Sequence, residues 1–251
     1  MWRMIMVVLG AVLLTGATGL SAEVEDITPP ADLAGWQALG GQWTVSDGVV
    51  SGLAKKDENA WLLWTGRELA DFELTLEFRT PVPTNGGVQF RSHWLPRLPL
   101  KDGETSETAP KQMYGYQANI ETRERAANGR LVDENGRGPL AQADEAALKT
   151  LKQKDWNTMT VRAIDDQIEI DLNGVPATRY KDEAFIKGYL ALQSFAWDLK
   201  GESAAVEYRN IRLRDLGRAG SWRALFDGKS FDGWKTWGEE EWTIKDGAIV
   251  G

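Results

Sequence analysis

The chain contains one histidine, His93, two residues after Arg91 and four after Gln89. The run Val88–Ser92 reads as a strand, and side chains at i, i+2 and i+4 of a strand point the same way. Gln89, Arg91 and His93 are therefore expected on one face. His93 is the only side chain whose ordinary pKa lies near neutrality. It could act as a base or a ligand, or be a plain loop-edge histidine; Arg91 could orient a substrate or hold developing negative charge. The next strand, Tyr114–Ile120, sets Gly115, Gln117, Asn119 and Glu121 on one side. Amides ending in the Glu121 carboxylate make a hydrogen-bonding row, although a solvated sheet face reads the same way. A second cluster, Glu134-Asn135-Gly136-Arg137-Gly138, joins a carboxylate and a guanidinium in a glycine-rich loop. It reads as a fixed ion pair, as an acid beside a cationic clamp, or as surface charge. Gln193 ends the strand Tyr189–Gln193. Trp94 and Trp197 stand at loop entrances, where indole faces could stack on a ligand. Trp43, Trp61 and Trp156 read as core.

The elements that must position these groups are nearly all strands. Phe72, Leu74, Leu76 and Phe78 alternate with polar residues, as do Ile168, Ile170 and Leu172. Asn173-Gly174 follows directly, the strongest short hairpin signal, because a type I′ turn needs positive φ at both central residues. With a turn at Asp165-Asp166, residues 157–180 become a three-stranded meander. Further strands are expected at Trp43–Val50, Tyr189–Phe195 and Ala205–Leu213. The helix signal falls at 144–152, where Asp144 caps and Leu148 and Leu151 share a face. About nine strands and one short helix define an all-β jelly-roll sandwich. The segments 94–113 and 121–143 are long for plain connections and are expected to carry function.

Composition narrows the chemistry. The 251 residues hold no cysteine, which excludes disulfides, a thiolate nucleophile and cysteine-ligated metals. A single histidine excludes multi-histidine metal motifs. A net charge of -8 makes nucleic acid and anionic membranes poor partners. Residues 1–22 have one early cation, Arg3, an apolar run from Met4 to Leu20, and Ser21-Ala22 at the expected cut. That is the pattern of a secretory signal peptide, with an N-terminal membrane anchor as the alternative. Export predicts a periplasmic or secreted protein with no stable membrane insertion after cleavage.

The chain also repeats itself. Trp43-Thr44-Val45-Ser46-Asp47-Gly48-Val49-Val50-Ser51-Gly52 resembles Trp242-Thr243-Ile244-Lys245-Asp246-Gly247-Ala248-Ile249-Val250-Gly251 at a constant offset of 199. A Gly-Trp pair precedes each copy, Gly35-Trp36 and Gly233-Trp234. The expected organisation is a leader (1–22), one sandwich (30–216), then a linker and the opening of a second copy (217–251). The alternative is a tail that adds strands to the first domain or swaps between chains. The excess of tryptophan, 12 in all, is partly this repeat.

Several stretches together resemble the 3-keto-disaccharide hydrolase domain family. They are Trp43-Thr44-Val45-Ser46-Asp47-Gly48, Trp61-Leu62-Leu63-Trp64, Asp71 to Arg79, Asn85-Gly86-Gly87-Val88-Gln89-Phe90-Arg91, Gly115-Tyr116-Gln117, Asp155-Trp156-Asn157, Leu172-Asn173-Gly174-Val175, Leu190-Ala191-Leu192-Gln193 and Val206 to Arg212. The resemblance implies a concanavalin-A-like jelly roll, export by a bacterium, and action on sugars oxidised at C3. A 3-keto group acidifies the C2 proton. Its removal gives an enediolate that expels the C1 substituent, after which water can add. Such chemistry needs a base near C2, a group to hold the oxyanion and an acid for the departing oxygen. His93, Glu121 and Glu134 are the catalytic candidates. Gln89, Arg91, Trp94, Gln117, Asn119, Arg137, Gln193 and Trp197 are the substrate-binding candidates. A divalent cation chelated by the substrate could also hold the oxyanion. The family often carries histidine two residues after the Gln193 position, where this chain has Phe195, and an acidic residue near 117–119, where it has amides. Those departures keep a second reading open, a non-catalytic carbohydrate-binding module of a tandem protein.

Overall fold

The computed structural model describes residues 23–54, 59–82, 84–97, 100–109, 111–122, 127–195, 205–217, 226, 228–231, 234 and 241–251. The expected leader and Trp197 lie outside the described residues. Among those described, no helix is long and apolar enough to cross a membrane.

Among the described residues, seventeen strands and one helix follow in chain order. They are β1 (Val24–Asp26), β2 (Trp36–Leu39), β3 (Gln42–Ser46), β4 (Val49–Leu53), β5 (Asn59–Trp64), β6 (Asp71–Arg79), β7 (Asn85–Pro96), β8 (Lys111–Glu121), β9 (Leu131–Glu134), β10 (Gly138–Ala141), α1 (Glu145–Leu148), β11 (Asn157–Ile164), β12 (Gln167–Leu172), β13 (Val175–Lys181), β14 (Tyr189–Phe195), β15 (Ala205–Gly217), β16 (Thr243–Lys245) and β17 (Ala248–Val250). The first sheet runs β13-β12-β11-β6-β15-β4-β3, with β1 also on β15; the second runs β10-β9-β8-β7-β14-β5-β2. β16 and β17 pair only with each other. This is the two-sheet antiparallel sandwich expected from the alternation.

The core lies between the sheets. β6 buries Phe72, Leu74, Leu76 and Phe78 and leaves Glu73, Thr75 and Glu77 half-buried on the other side. Val88, Phe90, Tyr116, Ala118, Leu190 and Leu192 meet them from the second sheet. Leu74→Ala would cost about 2–5 kcal/mol, because the packed neighbours cannot collapse fully into the space. The meander forms as expected: Asn173 and Gly174 take φ of 50° and 79° between β12 and β13. α1 is shorter than the 144–152 signal, and Asp144 caps it by accepting from the Ala146 amide at 2.7 Å.

Two expectations change. The segments 94–113 and 121–143 are not plain loops: β7 runs on to Pro96, β8 begins at Lys111, and β9 and β10 occupy 131–141. Four-residue strands such as β9 and β10 are too short to leave a periodic signal. The second change is a bulge in β7. Phe90 pairs with Tyr116 and His93 with Tyr114, so Arg91 and Ser92 together oppose Gly115. Arg91 itself has φ of 46°. The extra residue flips the alternation, so Gln89, Arg91 and His93 do not share a face.

The outer faces differ in chemistry. That of the first sheet is laced with ion pairs, among them Arg162 with Glu169 at 3.0 Å and Arg179 with Asp171 at 2.7 Å. Arg79 and Arg209 lie over the Trp156 ring at 4.7 and 4.0 Å. Such surface pairs add little stability individually and keep the face solvated. The outer face of the second sheet instead carries amides and aromatics, of which Gln89, Gln117, Asn119, Gln193 and Trp61 are buried and Asn59, Trp94 and Tyr189 half-buried.

Candidate functional site

Strand parity brings the amides together. On β8, Tyr116, Ala118 and Ile120 enter the core, which turns Gln117, Asn119 and Glu121 outward. On β14, Leu190 and Leu192 face the core, which turns Gln193 outward. On β5, Ala60 and Leu62 face the core, which turns Asn59 and Trp61 outward. Gln193 pairs with Gly87 of β7 and Trp61 of β5. A Cβ on Gly87 would lie 2.8 Å from the Gln117 side chain. The missing side chain is what lets Gln117 lie across β7.

Gln117 Nε2 donates to Gln193 Oε1 at 2.5 Å. Gln193 Nε2 donates to Asn59 Oδ1 at 2.9 Å and to Glu134 Oε1 at 3.3 Å. Glu134 comes from β9, three strands from β14, so the second sheet folds its outer face inward enough for the two side chains to meet. Gln117 and Gln193 are buried and Glu134 and Asn59 half-buried. Burial pushes the Glu134 carboxyl above its ordinary value of 4.5, with neighbouring Asp133 adding to the rise, while the Gln193 bond and Arg130 pull it down. A carboxyl so poised holds a proton more tightly than a solvated one and gives it up nearer neutrality.

Beside the row lies an aromatic and aliphatic patch: Trp61, Leu63, Met113 and Ala191, with Leu39, Trp94 and Tyr189 packed on it. Trp94 meets Tyr189 edge-on with ring centroids 5.0 Å apart. Trp61 is buried here, on the outer face, and not in the sandwich core where it was expected. Two donors of this face have no acceptor, Gln89 Nε2 and Trp61 Nε1. Gln89 Oε1 accepts from Ser92 Oγ at 3.1 Å, so its amide is oriented while its nitrogen stays unpaired. Buried donors without partners are rare and costly, and at a binding face they are the groups a ligand oxygen would satisfy.

The remaining sequence candidates lie elsewhere. Arg91 is fully buried and its guanidinium is consumed: Nε donates to Ala70 O at 2.8 Å, and the two terminal nitrogens to Asp165 O at 2.7 Å and Asp71 Oδ1 at 3.1 Å. It ties β7 to β6 and to the β11–β12 turn. His93 stands 3.8 Å from Glu68 and edge-on to the Tyr189 ring at 6.4 Å, at the rim of the patch. Arg137 pairs with Asp133 at 2.6 Å and Asp182 at 2.7 Å, not with Glu134. Asn119 donates to Ala127 O at 2.9 Å. Glu121 accepts from Asn85 Nδ2 at 3.2 Å. It lines a separate pocket of about 410 Å³ at the end of the sandwich, with Phe78, Val82, Asn128, Lys152 and Asn157. Glu134 is registered with Gly115, and Glu121 is six residues further along β8, about 20 Å away at strand rise. The two carboxylates are not a pair. Among the described residues, no group of three or more His, Asp or Glu is placed to hold a metal ion.

Asn59, Tyr189 and Tyr208 join the candidate site with no motif to announce them, and Trp61, read as core, joins it as well. Tyr208 reaches from the first sheet to the rung beneath the row: its hydroxyl lies 2.6 Å from Gln193 O and 3.3 Å from the Gly87 amide, donating to the one and accepting from the other. Period two along Asn59–Trp64 would have put Asn59 and Trp61 on one face, had that run been read as a strand.

A jelly-roll sandwich bearing a buried amide–carboxylate row on one outer face is the class this molecule defines. The chain belongs to the 3-keto-alpha-glucoside-1,2-lyase-like domain family, whose model matches residues 25–214. The fold is similar to that of a Bacillus subtilis protein of unknown function with a galectin-like fold, at a TM-score of 0.56 and 15% identity, covering 78% of this chain and 96% of the other. It is similar also to the carbohydrate binding module CBM66 of Bacillus subtilis, at a TM-score of 0.52 and 19% identity, covering 72% and 95%. A comparison with curated protein sequences found no match.

Proposed function

We propose that the protein processes glycosides carrying a ketone at C3, with Glu134 as the proton-transfer group. The observation that carries this reading is the half-buried Glu134 carboxyl, raised by burial and bonded to Gln193 at the end of the amide row. The family's 1,2-lyase-like description supports the reaction class. In the first step Glu134 takes the proton from C2. The C2–H electron pair forms a C2–C3 double bond, and the C3 carbonyl becomes an enolate oxygen. The unpaired N–H groups of Gln89 and Trp61 would hold that charge, since donors already oriented at a developing oxyanion lower the barrier. In the second step the carbonyl re-forms, C1 and C2 become doubly bonded, and the C1–O bond breaks. The departing oxygen takes the proton from Glu134, and water adding across C1–C2 completes a net hydrolysis. Gln117, Gln193 and Asn59 bind sugar hydroxyls, and the Trp94–Tyr189 patch takes a CH face. Export to the periplasm or the exterior belongs to the same reading.

The alternative is a non-catalytic carbohydrate-binding module. The wall position of His93, away from the amide row, favours it. Glu134→Gln separates the two. It keeps the size and the Gln193 contact but removes the base, so turnover of a 3-keto-glucoside should fall about 10²–10⁴-fold with binding retained. Wild-type protein that binds unoxidised glycans and leaves 3-keto sugars intact would establish the binding module instead.

A further inference from the structure

Two hairpins of this chain are copies of one another. β3 and β4 pair Thr44 with Ser51, Val45 with Val50 and Ser46 with Val49. β16 and β17 pair Thr243 with Val250, Ile244 with Ile249 and Lys245 with Ala248, each 199 positions after its counterpart. The turns agree as well. Asp47 and Gly48 have φ of 51° and 74°; Asp246 and Gly247 have 51° and 76°. Even the side-chain packing recurs: a Cβ on Gly52 would lie 2.5 Å from the Trp43 ring, and one on Gly251 would lie 3.0 Å from the Trp242 ring. Each indole covers a glycine at the end of the hairpin's second segment, Gly52 within β4 and Gly251 just after β17.

What differs is the cover over that face. In the first hairpin Trp43 and Val50 are buried in the core, at 8% and 0% exposure. Beside the hairpin β15 pairs with β4, setting Val206 opposite Gly52 and Tyr208 opposite Val50. In the second hairpin Trp242 is 43% exposed, and Ile244 and Ile249 are half-buried. The β15 edge of the described sandwich is already occupied by β4.

We propose that β16–β17 is the edge hairpin of a second sandwich of this same fold, that the edge of β17 pairs with that sandwich's equivalent of β15, and that the face made by Trp242, Ile244 and Ile249 turns towards its core. The first copy defines the occupant. A hairpin with this register and this Trp-on-Gly contact takes an aliphatic side chain opposite the glycine and an aromatic one opposite the central β-branched residue. Neither Glu134 nor the amide row enters this inference, so it stands or falls apart from the proposed function.

The test is a transplant within the full chain. Residues 43–52 are replaced by the ten residues 242–251, and a companion variant keeps Val at position 50 to avoid overpacking. A control carries the same ten residues in scrambled order. If the segment encodes the same edge hairpin, at least one transplant unfolds cooperatively with Tm within about 5 °C of the parent, since residual packing differences are small. The scrambled control should lose about 15 °C or its cooperative transition. Both transplants failing with the control would overturn the inference. On the parent chain, Trp242→Ala should leave Tm unchanged while Trp43→Ala lowers it by about 10 °C. An equal loss from Trp242→Ala would mean that the first sandwich already covers the hairpin, and would overturn the proposal. So would a dimer that Trp242→Ala dissolves, because the hairpin would then be displacing β3–β4 of another copy.

Discussion

Arg91 and Asp71 form a buried ion pair between the two sheets: the guanidinium donates to Asp71 Oδ1 at 3.1 Å, and both side chains are almost wholly shut from water. The same Asp71 oxygen accepts the Asp165 amide at 2.9 Å. The bulge at Arg91 thus closes one end of the sandwich and aims the rest of β7, including Trp94, at the candidate site.

Removing one partner of such a pair leaves a charge uncompensated in a low-dielectric interior. Asp71→Ala should destabilise the protein by about 3–5 kcal/mol. The double change Asp71→Ala, Arg91→Met should recover a large part of that, because a methionine leaves no charge behind. Denaturant unfolding of the two variants measures it; equal losses would mean that packing, not charge, dominates there.

Tyr208 offers a second test. Its hydroxyl sits beneath the rung that carries Gln193 and Gly87, in contact with both backbones. Tyr208→Phe keeps the ring and removes those bonds, at about 1–2 kcal/mol. Activity should fall through kcat, since the variant loosens the carboxylate partner Gln193 and leaves the aromatic patch intact. A variant with lowered Tm and wild-type kcat would assign Tyr208 to stability alone.

The rim pair behind β9 predicts a pH dependence. Arg137 holds the Asp182 carboxyl down at about 2 from an ordinary 3.8, with Tyr116 and the Ala184 amide assisting. A depressed folded-state pKa gives stability that is full above the unfolded value and is lost as pH falls from about 4 towards 2. Arg137→Ala should therefore be less stable than wild type at pH 6, with the gap closing at pH 2. Urea titrations at the two pH values check it; a constant gap would assign the effect to lost packing.

The alternation of β6, the Asn173-Gly174 turn and the Asp144 cap were legible in the sequence, because each is a local pattern with a local cause. The bulge was not. Arg91 takes a left-handed φ that its residue type does not announce, and one inserted residue moves Trp94 onto the site face and Arg91 off it. Nor could local pattern join Asn59, Gln117, Glu134 and Gln193, which come from four strands whose neighbours are far apart in sequence. Of the catalytic candidates, Glu134 meets the amide row, His93 stands at the rim of the patch and Glu121 lines the pocket at the sandwich end, a division set by register rather than by residue type.

The central claim is proton transfer by Glu134 next to a C3 ketone. The direct measurement is wild-type turnover of a 3-keto-glucoside in D2O, followed by proton NMR at C2 and C1. Elimination and water addition should place deuterium at C2 of the released 3-keto-glucose. The rate should rise with pH through a carboxyl pKa above 4.5, and Glu134→Gln should lower it about 10²–10⁴-fold and remove that rise. Intact substrate, or release with the original C2 proton retained, would contradict the account.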